Sequence, residues 1–169
     1  MSCKCNSIVK QAENLKNAKG RIDIIELANS LGLKVYTTTE ISVPSFIAYD
    51  KENKCYEIFV NSKEKVTRQR FSVAHEIAHF IEHKDKIMEF GIVGRQNDYS
   101  LSAKEEAQAD TLAANILMPE NCLDEYLKNE NIGLDTKIDL NIVQKIAKTF
   151  EVSLISVIMR LRGLGYYVK

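Results

Sequence analysis

Apolar residues recur along this chain with two periods, and the changes of period mark out its elements. Helical spacing predicts helices over 6–19 and 21–31. In the second, Ile22, Ile25, Ala28 and Leu31 recur on one face and Gly32 supplies a stop. The period then shortens to two. Lys34–Thr38 is β-prone, and the runs Phe46–Tyr49 and Cys55–Val60 flank a charged turn at 50–54, the signature of a hairpin. Helical spacing returns over 66–83. Residues 84–100 lack clean periodicity, contain Gly91 and Gly94, and read as a long loop. A helix is predicted from Ser102 to Pro119, and shorter ones at 120–129, 139–149 and 153–162. The expectation is an α+β chain, with a small antiparallel sheet packed on the helix at 66–83 and on further helices.

That central helix carries His75-Glu76-Ile77-Ala78-His79. Residues four apart lie one above the other on a helix, so the two imidazoles face the same way and can hold one zinc ion through bonds of about 2.0–2.1 Å. Glu76 is rotated off that face, where its carboxylate can reach a water on the metal. A surface helix that merely happens to carry these residues fits poorly. All three histidines of the chain fall within nine residues, and Phe71, Val73, Ala74, Ile77, Ala78, Phe80 and Ile81 surround them.

Two histidines leave a catalytic zinc site short of a ligand. His83 lies two helical turns from His75, roughly 12 Å along the axis, and reaches the same ion only if the helix breaks. A metzincin would place a glycine before its third histidine, and none is present. His83 therefore reads as a helix-end or rim residue. Three acids on the next helix compete instead. Ser102 and Glu105 have the spacing of a capping box, which gives Glu105 a structural task. Glu106 and Asp110 share a stripe with Ala113 and Leu117 that points inward, where an unpaired carboxylate is costly. Taken alone, this would be an amphipathic helix with an acidic first turn favoured by its dipole. Beside the two histidines, Glu106 is the expected third ligand. Asp110 is then placed to hold the outer nitrogen of a zinc-binding histidine. Ala103, Ala107, Ala109, Ala113 and Ala114 keep this helix slim enough to approach the first.

Composition narrows the function classes. The formal net charge is zero, with 27% charged and 45% hydrophobic residues, so no dominant nucleic-acid or membrane footprint is present. No apolar run approaches the roughly 18 residues that span a bilayer. The first twenty residues lack the apolar core of a secretory signal, and a cytoplasmic protein is expected. Cys3, Cys5, Cys55 and Cys122 form no disulfide framework, and Cys3 and Cys5 read as free thiols.

The runs RFSVAHEIAHFIEH and EEAQADTLAANILMPE, together with CYEIFVN upstream and AKTFEVSLISVIMRLRGLGY near the end, resemble the ImmA/IrrE family of bacterial metallopeptidases over roughly residues 20–165. The resemblance implies a zincin-like fold, with Zn2+ on His75, His79 and Glu106 and with Glu76 catalytic. It also implies an anti-repressor that cleaves or otherwise inactivates a helix-turn-helix repressor in a bacterium or mobile element. On this reading 1–20 is a helical lead-in, 21–130 the metallopeptidase core and 131–169 a helical subdomain packed on it. The partner is a protein substrate, with no direct nucleic-acid or membrane contact.

Two rivals stand beside it. One is a zinc-containing regulator that sequesters the repressor without hydrolysis. The other is a DNA-binding regulator using the helix pair at 139–162, whose Lys145, Lys148, Arg160 and Arg162 form no dense basic cluster. The donor for a developing oxyanion is not readable, with Tyr99, Arg95 and His83 near in the chain. Strand 55–60 is expected to offer an edge to an extended substrate.

Overall fold

A computed structural model describes residues 3–93 and 101–169. Helices α1 (Cys3–Glu13) and α2 (Ile24–Ser30) precede strands β1 (Leu33–Thr38), β2 (Ser45–Asp50) and β3 (Cys55–Asn61). Helix α3 (Val66–Phe90) and the short strand β4 (Ile92–Val93) follow. Helices α4 (Ala103–Leu117), α5 (Glu120–Asn129), α6 (Leu140–Phe150) and α7 (Leu154–Gly163) complete an α+β architecture. Among the described residues, no helix is long and apolar enough to cross a membrane.

The sheet departs from the expected antiparallel one. Its order is β1-β3-β2-β4, with β1 parallel to β3 and the other neighbours antiparallel. The 50–54 turn does join β2 to β3 as a hairpin, and β1 docks along the far side of β3, from Leu33 opposite Tyr56 to Thr38 opposite Asn61. Strand 55–60 is thus interior and has no edge to offer a substrate. Alternation reveals which face of a strand is buried but not which strands flank it. Tyr56, Ile58 and Val60 point from β3 into the core against α3.

The N-terminal helices are shorter than their periodicity suggests. Asn17 accepts from the backbone N–H groups of Lys19 and Arg21, turning the chain before α2. Asp23 then caps α2 by accepting from Glu26 N–H. Ile22 is fully buried ahead of that cap, and Ile24, Leu27 and Ala28 form the inner face, leaving Ile25 exposed. Cys5 is likewise buried, its thiol 3.4 Å from Glu82 Oε1, whereas Cys3 is exposed; all four cysteines are free.

Helix α3 runs through the middle of the molecule. Every residue from Ser72 to His79 is buried, between the sheet on one side and α4 on the other. It continues past the expected end at residue 83 through a break at His83 (φ −127°, ψ 23°) and stops at Gly91, whose φ of +82° suits glycine. The predicted loop at 84–100 is therefore helical to Phe90. Near the other end, buried Arg70 donates to the carbonyls of Ile22 (2.9 Å) and Glu151 (3.3 Å) and pairs with the Glu151 carboxylate at 3.4 Å. One guanidinium thus ties α3 to the chain before α2 and to the turn between α6 and α7.

Candidate metal centre

Helix α4 begins with the predicted capping box: Ser102 Oγ accepts from Glu105 N–H, and the Glu105 carboxylate accepts from Ser102 N–H. This fixes the start of α4 and turns Glu106 toward α3. Ala109 and Ala113 are buried at the inner face. Ala103 and Ala107 lie on the solvent side and contribute nothing to the close approach. Asp110 is less enclosed than its stripe suggests, with a side chain 46% exposed.

The two helices bring His75, His79 and Glu106 together, their nearest ligand atoms all within 4.8 Å of one another. His75 Nε2 and His79 Nε2 stand 2.8 Å apart, and the two Glu106 oxygens lie 3.4 Å from one each. Ligand atoms around a tetrahedral zinc with bonds of about 2.0–2.1 Å are separated by roughly 3.3 Å. Glu106 already meets that spacing, and the two nitrogens reach it with a small parting of the rings.

Each outer ring nitrogen has a polar neighbour as well. Asp110 Oδ1 lies 2.9 Å from His75 Nδ1, close but off the line of an ideal N–H donor. His79 Nδ1 lies 3.2 Å from His83 Nδ1. Sequence reasoning left His83 without a partner. The break in α3 at His83 accompanies this ring contact, which does not enter the Nε2 cluster.

Electrostatics make this a place for a cation. Burial pushes the His75 imidazolium down, but Asp110 and Glu106 beside it outweigh that and hold its pKa up to about 9. The neighbouring His75 and His79 keep the Glu106 carboxyl well below the usual carboxylate range. A cluster that favours an imidazolium proton this strongly also favours a metal ion in its place.

Glu76 is 2% exposed on the side of α3 facing β2. Ser45 Oγ donates to its Oε1 at 2.7 Å, while Oε2 has no hydrogen-bond partner among the described residues. Burial raises the Glu76 pKa, with the nearby histidines opposing. A slot of about 10 Å³ adjoins it, lined by Ser45, Arg68, Phe71, Ser72 and His75 among others. That volume approaches what one water needs. No sequence signal singled out Ser45 beyond its place after Pro44 at the start of β2. Tyr99 and Arg95 lie outside the described residues, and His83 faces His79.

Comparisons with known proteins come to the same region. The family model described as the IrrE N-terminal-like domain, of the M78 peptidases, matches residues 28–162. No curated protein matches the chain. Among solved structures, a Mycobacterium tuberculosis transcriptional regulator superposes with a TM-score of 0.61 at 13% identity, over 95% of this chain and 47% of that one. At such identity the likeness is one of fold, and this chain spans about half the length of that protein.

Proposed function

The chain belongs to the IrrE N-terminal-like domain family, and from that membership and the geometry of the centre we propose a zincin-like, zinc-dependent endopeptidase that acts as an anti-repressor. Its substrate is a helix-turn-helix transcriptional repressor, cut at one site to release gene expression. The observation that carries this reading is the convergence of His75, His79 and Glu106 beside a buried glutamate with one unengaged oxygen.

A zinc ion held there would supply Lewis acidity to the scissile carbonyl and to water. The chain's own residues do the rest. His75, His79 and Glu106 would hold the ion, and Asp110 and His83 would orient the two rings from outside. Glu76 Oε2 accepts the proton as water attacks the scissile carbonyl, and the same carboxyl then delivers it to the leaving amine. Ser45 fixes the other oxygen, so that one face of the carboxylate stays aimed at the reaction. Burial favours the protonated form that Glu76 takes up mid-reaction.

The test is cleavage of candidate helix-turn-helix repressors from the same genome by zinc-loaded wild type and Glu76→Gln. Cleavage by wild type alone supports the reading, and equal cleavage by both removes Glu76 from the chemistry. If Glu76→Gln still induces the regulated genes in cells, sequestration replaces hydrolysis.

A further inference from the structure

A groove of about 660 Å³ runs between the first turns of α3, the middle of α4 and the outer face of α7. Arg68 and Phe71 line both this groove and the slot at Glu76, and Asp110 lines it from the His75 side. The groove therefore adjoins the slot at Glu76, with Arg68 and Phe71 between the two. Its volume falls within the roughly 300–1,000 Å³ of ligand-binding clefts.

The walls differ in chemistry. Helix α7 buries Val157 and Leu161 on one side and presents Ile155 and Met159, one turn apart, to the groove on the other; these two are 73% and 65% exposed. Single exposed apolar residues are ordinary, but two on one stripe facing Phe71 and Ala114 form a continuous apolar wall. At the end nearest Glu76, the Arg68 guanidinium lies over the Phe71 ring, 5.7 Å from its centroid, and no carboxylate among the described residues pairs with it. The groove's other arginine is occupied: Arg160 Nε donates to the Met118 carbonyl at 3.1 Å.

We propose that this groove is the specificity subsite of the peptidase, seating a substrate segment in which a large apolar side chain stands next to a carboxylate. The apolar group rests on Ile155, Met159 and Phe71, and the carboxylate meets Arg68. The assignment rests on the peptidase reading above and names the substrate class for the same centre. Among the described residues, a cation with no carboxylate partner beside an apolar wall suits an acidic, apolar peptide. A nucleic-acid backbone would need several cations along its track. Arg68 and Met159 hold no part of the metal cluster, so both can be changed without touching it.

The test uses the full chain loaded with zinc and short labelled peptides that carry Leu-Asp, Leu-Lys or Ser-Ser at the centre. Binding is read by fluorescence polarisation on Glu76→Gln, and cleavage by mass spectrometry on wild type. Leu-Asp should bind best. In the Glu76→Gln background, Arg68→Glu should weaken Leu-Asp roughly fivefold, as expected for an exposed ion pair, and turn the preference to Leu-Lys. Met159→Asp should weaken it about tenfold or more, with zinc content unchanged. Met159→Ser serves the same purpose if the aspartate variant fails to fold.

Leu-Asp binding that ignores both substitutions overturns the proposal, as does the absence of both binding and cleavage. Binding without cleavage keeps the groove as a peptide site and removes the peptidase reading. A wild-type dimer that Met159→Asp dissociates gives the groove to a second copy of the chain, and also overturns it.

Discussion

His79 Nδ1 lies 3.2 Å from His83 Nδ1, and His83 is also the residue at which α3 leaves helical geometry. On an unbroken helix, His83 would simply extend the row of histidines. The break accompanies a contact that can fix the tautomer and tilt of His79 from behind. Replacing His83 by Phe should weaken zinc binding about tenfold, and His83→Gln, which keeps a carbonyl acceptor, should restore most of it. Competition with a chelating dye measures both. Unchanged affinity in His83→Phe would confine His83 to shaping the helix.

Glu105 and Glu106 are neighbours in sequence with opposite tasks. Glu105 closes the capping box and pairs with Lys86 at 2.6 Å, while Glu106 faces both histidines. Glu106→Ala should therefore lose zinc. Glu105→Ala should keep it and lower stability by about 1 kcal/mol through the lost cap. Metal content by plasma emission and unfolding in urea separate the two, and the reverse pattern would reassign the ligand.

The metal-free protein should lose stability toward alkaline pH, and zinc should remove that loss. His75 has a folded pKa raised to about 9 from an ordinary value near 6.5. Its contribution is fully present below about pH 6.5 and is lost as pH rises through 9. Glu106, depressed in the fold, contributes above the ordinary carboxylate range and loses that contribution as pH falls. Chelator-treated protein should therefore be most stable in mildly acidic solution and weaken toward pH 9. With zinc bound, His75 is neutral and the alkaline slope should vanish. A flat profile in metal-free protein would contradict the coupling of His75 with its two carboxylates.

Arg70 links three segments through one buried guanidinium. Arg70→Leu leaves the carbonyls of Ile22 and Glu151 without this donor and should cost about 2 kcal/mol in chemical unfolding. Zinc affinity of the folded protein should be unaffected, because no metal-facing atom is touched. A large loss of zinc in folded Arg70→Leu would place Arg70 among the residues that hold the centre.

Local chemistry made much of this molecule legible beforehand. The four-residue spacing of His75 and His79, and the cap that separates Glu105 from Glu106, are properties of one helix each, and the structure brings those residues together. Helix starts signalled by Ser102, Asp139 and Ser153 lie where their side chains accept from the third residue on. Relations between distant segments were not legible. Nothing in Leu33–Thr38 says that it lies parallel to β3 rather than beside β2, because either neighbour buries the same alternate residues. Ser45 reaches Glu76 across 31 positions, and Arg68 joins a groove whose far wall is more than 80 residues away. His83 was legible as a residue outside the ligand cluster, but its contact with His79 depends on a break in the helix that periodicity does not encode.

The central claim is that His75, His79 and Glu106 together hold one zinc ion. Zinc K-edge absorption on the purified protein tests it most directly, because it reads the ligand atoms without requiring a substrate. The account predicts one zinc per chain, with two imidazole nitrogens and oxygen completing the shell at about 2.0–2.2 Å, and loss of that spectrum in Glu106→Ala. A shell containing sulfur at about 2.3 Å, or an unchanged spectrum in Glu106→Ala, would contradict it.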